Sequence, residues 1–319
     1  MSTISTMALV PQLPGMALTT RTEVLMDTFV TIGVVREGGA DNTAIARAFD
    51  WFRRVEAACS RFDRDSEVLR LLDRVGEPTP VSAILYQAVA FAIAVARASG
   101  GAFDPTIGHL LAERGFARNY RTGETIIMPL IPLAAGGCPT FRDVRLDPHH
   151  RTITLRRPLI LDLGAVAKGL AIDLAGQELA PTGRYLIDAG GDLAVRGQNP
   201  AGAPWQIGIR HPRQDAALLA TLRLTDAAVC TSGDYERPAA APAAGHHLFD
   251  PRAGRSPAAV ASVTVIAPTA LAADALGTAA FILGPRRGVR FLARQGVAGM
   301  LVTPDLTLHS TPDFGRYTA

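Results

Sequence analysis

Three features of the 319-residue sequence predict an α+β fold. Short strand-like pieces follow one another through the middle of the chain without the regular strand–helix–strand spacing of a doubly wound sheet. Stretches with apolar residues every three or four positions lie towards both ends, as amphipathic or buried helices require. Thirty glycines and 22 prolines punctuate these pieces at short intervals, which suits a chain that turns often.

The elements follow in order. In EVLMDTFVTIGVV, the residues Val24, Met26, Thr28, Val30, Ile32 and Val34 alternate strictly, so the segment reads as one strand with a buried face. REGGADN then reads as a turn. From Asp41 the positions Ile45, Phe49, Phe52, Val55 and Cys59 recur at helical spacing, and a second helix is expected from Ser82 to Ser99, stopped by Gly100-Gly101. DVRLD, TITLRR, YLIDAGG, WQIGIR and LLATLRL read as strands, interrupted by the helical AVAKGLAIDLAGQEL. SVTVIAP is another strand, followed by a helix over LAADALGTAAFILG, one more helix past Arg286, and VAGMLVTP as the final strand. RPAAAPAAGHH (237–247) reads as a flexible loop. Residues 1–21 are expected to be disordered, and 22–319 to form a single domain.

Composition narrows the function classes. With 48% hydrophobic residues the chain can bury a large core. Lys+Arg number 32 against Asp+Glu 29, and the basic pairs Arg53-Arg54 and Arg286-Arg287 are dispersed, so neither a nucleic-acid nor a membrane partner is implied. Cys59, Cys138 and Cys230 lie far apart and form no CxxC pair, which points away from disulfides and zinc and towards a reducing compartment. No segment reaches the length of a spanning helix, and the N-terminal stretch lacks the pattern of a secretion signal. A cytoplasmic location is the expectation.

The chemistry gathers in glycine-punctuated segments: GGAFDPTIG (100–108), LDLGAVAKG (161–169), IDAGGDLAVRG (187–197), TSGDYER (231–237) and HLFDPRAGRSP (247–257). Each alone is ordinary turn chemistry. Near the C-terminus, Asp274 and Thr278 stand four apart in an otherwise apolar helix, which directs a carboxylate and a hydroxyl to one face. A solvent-facing Asp and a Thr bonded back to its own helix would satisfy that pattern equally well.

Taken in order, with MDTFVTI before them and ADALGTAAFILG after, these segments resemble the FAD:protein FMN transferase (ApbE) family over roughly residues 22–305. The family pattern runs SxYdpdSE, FDPTvGpL, DLGgiAKGyavD, GGDi, TSGdYer, HiiDPrTG.P and aDalsTalfvlG. The resemblance implies an ApbE-like fold of mixed or antiparallel sheets with packed helices. It also implies a Mg²⁺ site built from Asp274, Thr278 and the main-chain carbonyl of Ala165, a set of hard oxygen donors. Gly277 replaces the serine often found before that threonine. FAD contacts are implied at Met26, Phe62, Ala102, Phe103, Asp104, Asp162, Lys168 and His247. Phe62 replaces a common tyrosine, so stacking is retained without the hydroxyl.

The implied reaction transfers the FMN portion of FAD to a Thr or Ser hydroxyl of an acceptor protein and releases AMP. Lys168 would supply positive charge and His247 would act as general base, although each could equally be structural. Asp234 and Tyr235 are expected to shape the acceptor pocket, and Asp188 and Asp192 to hold turns; His109, His149 and His150 are expected at the surface. Two alternatives stay open: Mg²⁺-dependent hydrolysis of FAD to FMN and AMP, and FAD binding without cleavage.

Overall fold

The alternating N-terminal segment is a hairpin, not one strand. In the computed structural model, which describes residues 16–37, 42–116, 137–236 and 245–319, β1 (Met16–Leu25) pairs antiparallel with β2 (Thr28–Glu37), Leu25 opposite Thr28. Met26 and Asp27 at the turn have φ of 51° and 59°, a two-residue connection whose twist matches that of the strands. Asp is tolerated there, but methionine rarely visits that region, so no local signal marks the break. Within β2, Val30, Ile32 and Val34 are buried as expected, but so are Thr31 and Val35, because both faces of the sheet are covered here. The boundary expected at residue 21 falls inside β1, which β2 holds along its whole length. Residues 1–15, positions 38–41 of the REGGADN turn and positions 237–244 of the Ala/Pro patch lie outside the described residues.

The chain continues through α1 (Asn42–Cys59), α2 (Glu67–Arg70), β3 (Thr79–Pro80), α3 (Ala83–Ala98), α4 (Gly108–Glu113), β4 (Val144–Asp147), β5 (Thr152–Leu155) and α5 (Gly164–Leu179). It then forms β6 (Tyr185–Ala189), β7 (Asp192–Arg196), β8 (Trp205–Arg210), β9 (Leu218–Leu224), β10 (Ala227–Gly233) and β11 (Ser262–Ala267). Last come α6 (Ala270–Leu283), α7 (Pro285–Arg294), β12 (Ala298–Val302) and β13 (Leu308–Ser310). Helix α3 begins where Ser82 Oγ accepts from Leu85 N at 3.2 Å, and Gly100-Gly101, with φ of 63° and 76°, follow its end. Strand β13 extends the chain beyond the strand expected to be last. β7 and β10 hide in the sequence because their ends carry the glycine-rich motifs.

An antiparallel sheet of eight strands, ordered β1-β2-β6-β7-β10-β11-β12-β13, carries the fold. One face packs against α1, α5 and α6 through Val30, Ile32, Ile187, Val263 and Val265, with α3 packed against these helices. The other face, with Val35, Leu186, Val195 and Val229, is covered by the separate β8–β9 pair through Trp205, Leu222 and Leu224. Helices on one face of an antiparallel sheet make this an α+β architecture. Among the described residues no helix is long and apolar enough to cross a membrane. His109, expected at the surface, is buried on α4, where Gly108 N donates to Ile160 O at 3.1 Å and draws the helix inwards. Burial pushes its imidazole pKa down.

Helices α5 and α6 meet almost backbone to backbone. A Cβ on Gly169 would lie 2.5 Å from Ala270 O and 2.6 Å from Leu271 Cα, so only glycine permits this approach. Beside it, Asp173 accepts hydrogen bonds from Ala270 N at 2.8 Å and Leu271 N at 2.9 Å, one per carboxylate oxygen. Those are orphan donors at the start of α6, where the helix field also favours an anion. Burial nevertheless outweighs the two bonds and raises the Asp173 pKa to about 6.

Two outcomes follow from this contact. Gly169→Ala must push α6 away from α5, and overpacking of this kind costs about 1–3 kcal/mol, measurable as a lower denaturation midpoint. Asp173 is protonated more readily in the folded than in the unfolded chain, so its contribution is present below about pH 4 and is lost as pH rises through about 6. Unfolding free energies measured from pH 4 to 8 should therefore fall less steeply for Asp173→Asn than for the unaltered protein.

Candidate functional site

The site is assembled where the N-terminal half of α5, the β6–β7 turn and the first turns of α6 converge. Helix α6 is buried nearly all round, Asp274 and Thr278 included, at 5% and 8% exposure. A helix with no solvent-facing side keeps its one carboxylate almost wholly out of water, so this is not a solvent-facing Asp. Lys168, on the second turn of α5, places Nζ 3.8 Å from Asp274 Oδ2 and in direct ion-pair contact with Asp192 Oδ2. Asp192, expected only to hold a turn, thus belongs to the charged centre. Asp188 does hold the turn, accepting from Gly191 N at 2.8 Å. Burial raises its pKa, while Lys168 pulls it down.

The charge and donor set fit a divalent cation. Two buried carboxylates share one ammonium group, which leaves an excess negative charge in a low-dielectric setting. Ala165 leaves helical geometry within α5, with φ −89° and ψ 17°. Such a residue breaks the regular hydrogen-bond ladder that would otherwise occupy nearby carbonyls. Among the described residues no group of three His, Cys, Asp or Glu side chains is arranged to hold a metal. A cation here would draw on Asp274, the Thr278 hydroxyl and the Ala165 carbonyl, a set suited to a hard ion such as Mg²⁺. At Gly277 an added Cβ would sit 3.8 Å from Ser232 Oγ, so β10 brings the Ser232 hydroxyl alongside the same stretch of α6.

A second group of motif residues is tied to the start of α5. Asp162 N donates to Pro105 O at 2.7 Å, and Asp162 Oδ1 accepts from Gly164 N at 2.9 Å, joining the FDPT and DLG segments. Arg61 Nε pairs with Asp162 Oδ2 at 2.5 Å, its Nη2 donates to Phe116 O at 2.8 Å, and its guanidinium lies 4.1 Å from the centroid of the Phe62 ring. Phe62 is therefore stacked from one side and anchored to the DLG turn through its neighbour. Asp104 is buried and saturated: it accepts from Thr106 N, Thr106 Oγ1 and Phe141 N at 2.9, 2.8 and 3.0 Å. Burial raises its pKa against those bonds. Ala102 and Phe103 are buried beside it, while Met26 sits half-buried at the β1–β2 turn, packed on the core. Ala102, Phe103 and Asp104 thus directly precede Pro105, whose carbonyl binds the DLG turn.

The histidine pair divides its roles. His246 stacks edge-on against Phe281 of α6, with centroids 5.5 Å apart, and its Nε2 lies 3.1 Å from Pro257 O. Burial lowers its pKa, favouring the neutral ring. His247, half-buried, stands next to it with ring centroids 6.5 Å apart. The TSGDYER turn is clamped by the β8–β9 sheet: Arg213 makes two bonds to Asp234, at 2.7 and 2.6 Å, and the Arg210 guanidinium lies 4.7 Å from the Tyr235 centroid. Sequence reasoning singled out neither Arg61, Arg210 and Arg213 nor the capping role of Asp173. Only Arg61 and Asp173 left a local trace, as charged residues inside the SRFDRDSE and DLGAVAKGLAID segments.

Charge at Asp274 can be tested without turnover. Mg²⁺ should raise the melting temperature of the unaltered protein by mass action. Asp274→Asn should abolish that increment while leaving the melt in chelator unchanged or higher, because Lys168 keeps Asp192 as its partner. An undiminished Mg²⁺ increment in the variant would remove Asp274 from the cation site.

Residues 26–301 match the family model described as the ApbE family. Among similar proteins, the FAD:protein FMN transferase of Escherichia coli (strain K12) is 30% identical over 255 residues, covering 77% of this chain and 72% of the relative. The crystal structure of the ApbE protein from Thermotoga maritima superposes with a TM-score of 0.84 at 29% identity, covering 95% of this chain and all of the other. The apo flavinyl transferase ApbE of Pseudomonas stutzeri gives a TM-score of 0.80 at 28% identity, with 94% and 96% coverage. The overall fold is therefore shared with these structures, and this chain belongs to the ApbE family.

Proposed function

We propose that the protein is an FAD:protein FMN transferase that moves the FMN portion of FAD onto a Thr or Ser hydroxyl of an acceptor protein and releases AMP. One observation carries the reading: buried Asp274 and Asp192 share Lys168 next to the kinked Ala165, with Thr278 one turn along α6. The names of the relatives support the same activity. Mg²⁺ bound by Asp274, Thr278 and the Ala165 carbonyl would supply Lewis-acid neutralisation of the diphosphate oxygens.

This chain's own residues do the rest. Lys168, fixed between Asp192 and Asp274, presents its ammonium group to the diphosphate. Phe62, braced by Arg61, and Met26 flank the isoalloxazine, with Asp162 holding the turn that faces it. Ala102, Phe103 and Asp104 lead into Pro105, whose carbonyl binds that turn. His247 takes the proton of the acceptor hydroxyl as its oxygen bonds to the phosphorus on the riboflavin side. The bond from that phosphorus to the bridging oxygen breaks, and AMP leaves with the electron pair. The acceptor chain lies against the turn of Asp234 and Tyr235 that Arg210 and Arg213 hold. Three free cysteines support work in a reducing compartment, the cytoplasm.

Incubation with FAD, Mg²⁺ and a candidate acceptor, read by intact mass and nucleotide chromatography, tests the reading. The expected result is an acceptor heavier by one FMN less one water, with one AMP released per adduct. AMP with free FMN and no adduct for any acceptor would make the protein an FAD pyrophosphatase, and persistent bound FAD without AMP would make it a binding protein.

A further inference from the structure

The search of the remaining surface leads to α7. Four of its ten residues are arginines, Arg286, Arg287, Arg290 and Arg294, all exposed. None forms an ion pair among the described residues. Several arginines elsewhere are matched, as in Arg21–Glu23, Arg47–Glu178, Arg53–Asp50, Arg252–Asp250 and Arg316–Asp313, whereas α7 gathers four without an ion pair on one ten-residue helix. The α7 cluster is also arranged against its own interest. Arg286 and Arg290 are like charges at i and i+4, and Arg286 and Arg287 lie in a first turn with no acidic residue, where the helix field favours anions. The sequence alone suggests a solvated helix face, but the structure makes it one wall of a groove. Arg286, Val289 and Arg290 face His309 and Ser310 of β13 across a volume of about 470 Å³.

The other wall is a sheet edge. β13 ends the strand order, with no strand on its outer side among the described residues. Its register places His309 opposite Leu301 and Leu308 opposite Val302. Leu301 is buried against α7, where a Cβ on Gly288 would lie 2.8 Å from its Cδ2. His309 therefore faces the arginines, and Leu308, 53% exposed, faces the opposite side of the sheet. A strand added to β13 would show alternate residues to these two environments.

We propose that the α7–β13 groove binds an extended acidic segment of a partner polypeptide, paired onto the β13 edge, with carboxylates on the arginine side and apolar side chains on the Leu308 side. A nucleic acid is the poorer fit, because the groove pairs the arginines with a strand edge and with exposed Leu308, which suit the backbone and alternating side chains of a polypeptide. Three residues of β13 offer few backbone bonds, so the charges carry most of the affinity and binding weakens as salt rises.

Fluorescence anisotropy tests this with a labelled ten-residue peptide of alternating Glu and Val, in the absence of FAD and Mg²⁺. That choice keeps the test separate from the catalytic reading. At low ionic strength the expected result is saturable binding, at least tenfold weaker for Arg286→Glu/Arg290→Glu, and absent for the Gln/Val counterpart. Arg286→Gln/Arg290→Gln serves where the charge reversal disturbs folding, with a smaller loss in the same direction. No binding, or binding indifferent to these substitutions, would overturn the proposal. Equal binding of a peptide with the same residues in separate Glu and Val blocks would overturn the strand pairing. Tighter binding of oligothymidylate would overturn the assignment to a polypeptide.

Discussion

The close approach of α5 and α6 at Gly169 and Ala270 is the constraint on which the site depends. Lys168 and Ala165 come from one helix, and Asp274 and Thr278 from the other. The separation of the helix axes therefore decides whether the ammonium group lies near the carboxylate or apart from it. Asp173 fixes the contact chemically by accepting the first free N–H groups of α6. One glycine sets the distance and one carboxylate sets the position along the helix. Close-packed interiors transmit such placement without slack.

Electrostatics then make the site selective. A lysine between two buried carboxylates is held from both sides, and a cation would balance the excess negative charge. A carboxylate, a hydroxyl and a carbonyl would favour a hard cation over a softer metal. Around this centre the loops are bound to one another as much as to the core. Arg61 ties the SRF segment to Asp162, Pro105 O ties the FDPT turn to the same residue, and Arg213 ties β8–β9 to Asp234. Motifs far apart in the chain are thus held together by ion pairs and main-chain bonds, so the substrate meets a preorganised surface.

Much of this architecture was legible in the sequence because its signals are local. Helical spacing marked α1 and α3, the Gly100-Gly101 stop ended α3, and short strand-like pieces marked most strands. The hairpin turn was not legible, because methionine at positive φ carries no turn signature. β7 and β10 were obscured where motif glycines overlap strand ends, and the burial of His109 depends on a contact with Ile160 that no neighbour along the chain reveals. Asp274 and Thr278 stood out as polar residues in an apolar helix, whereas Asp192 looked like turn chemistry until the fold set Lys168 beside it.

The sequence by itself determined the α+β class, most of the elements and the chemical types available at the site, because periodicity, capping and turn residues act within a few positions of one another. Only the tertiary structure decided which charges meet. The pairing of Lys168 with Asp192, the capping of α6 by Asp173 and the unmatched arginines of α7 facing His309 all join residues separated by tens to nearly a hundred positions along the chain. Such partnerships depend on how helices and sheet edges pack, and Coulomb energy responds to distance through space with no regard for separation in sequence.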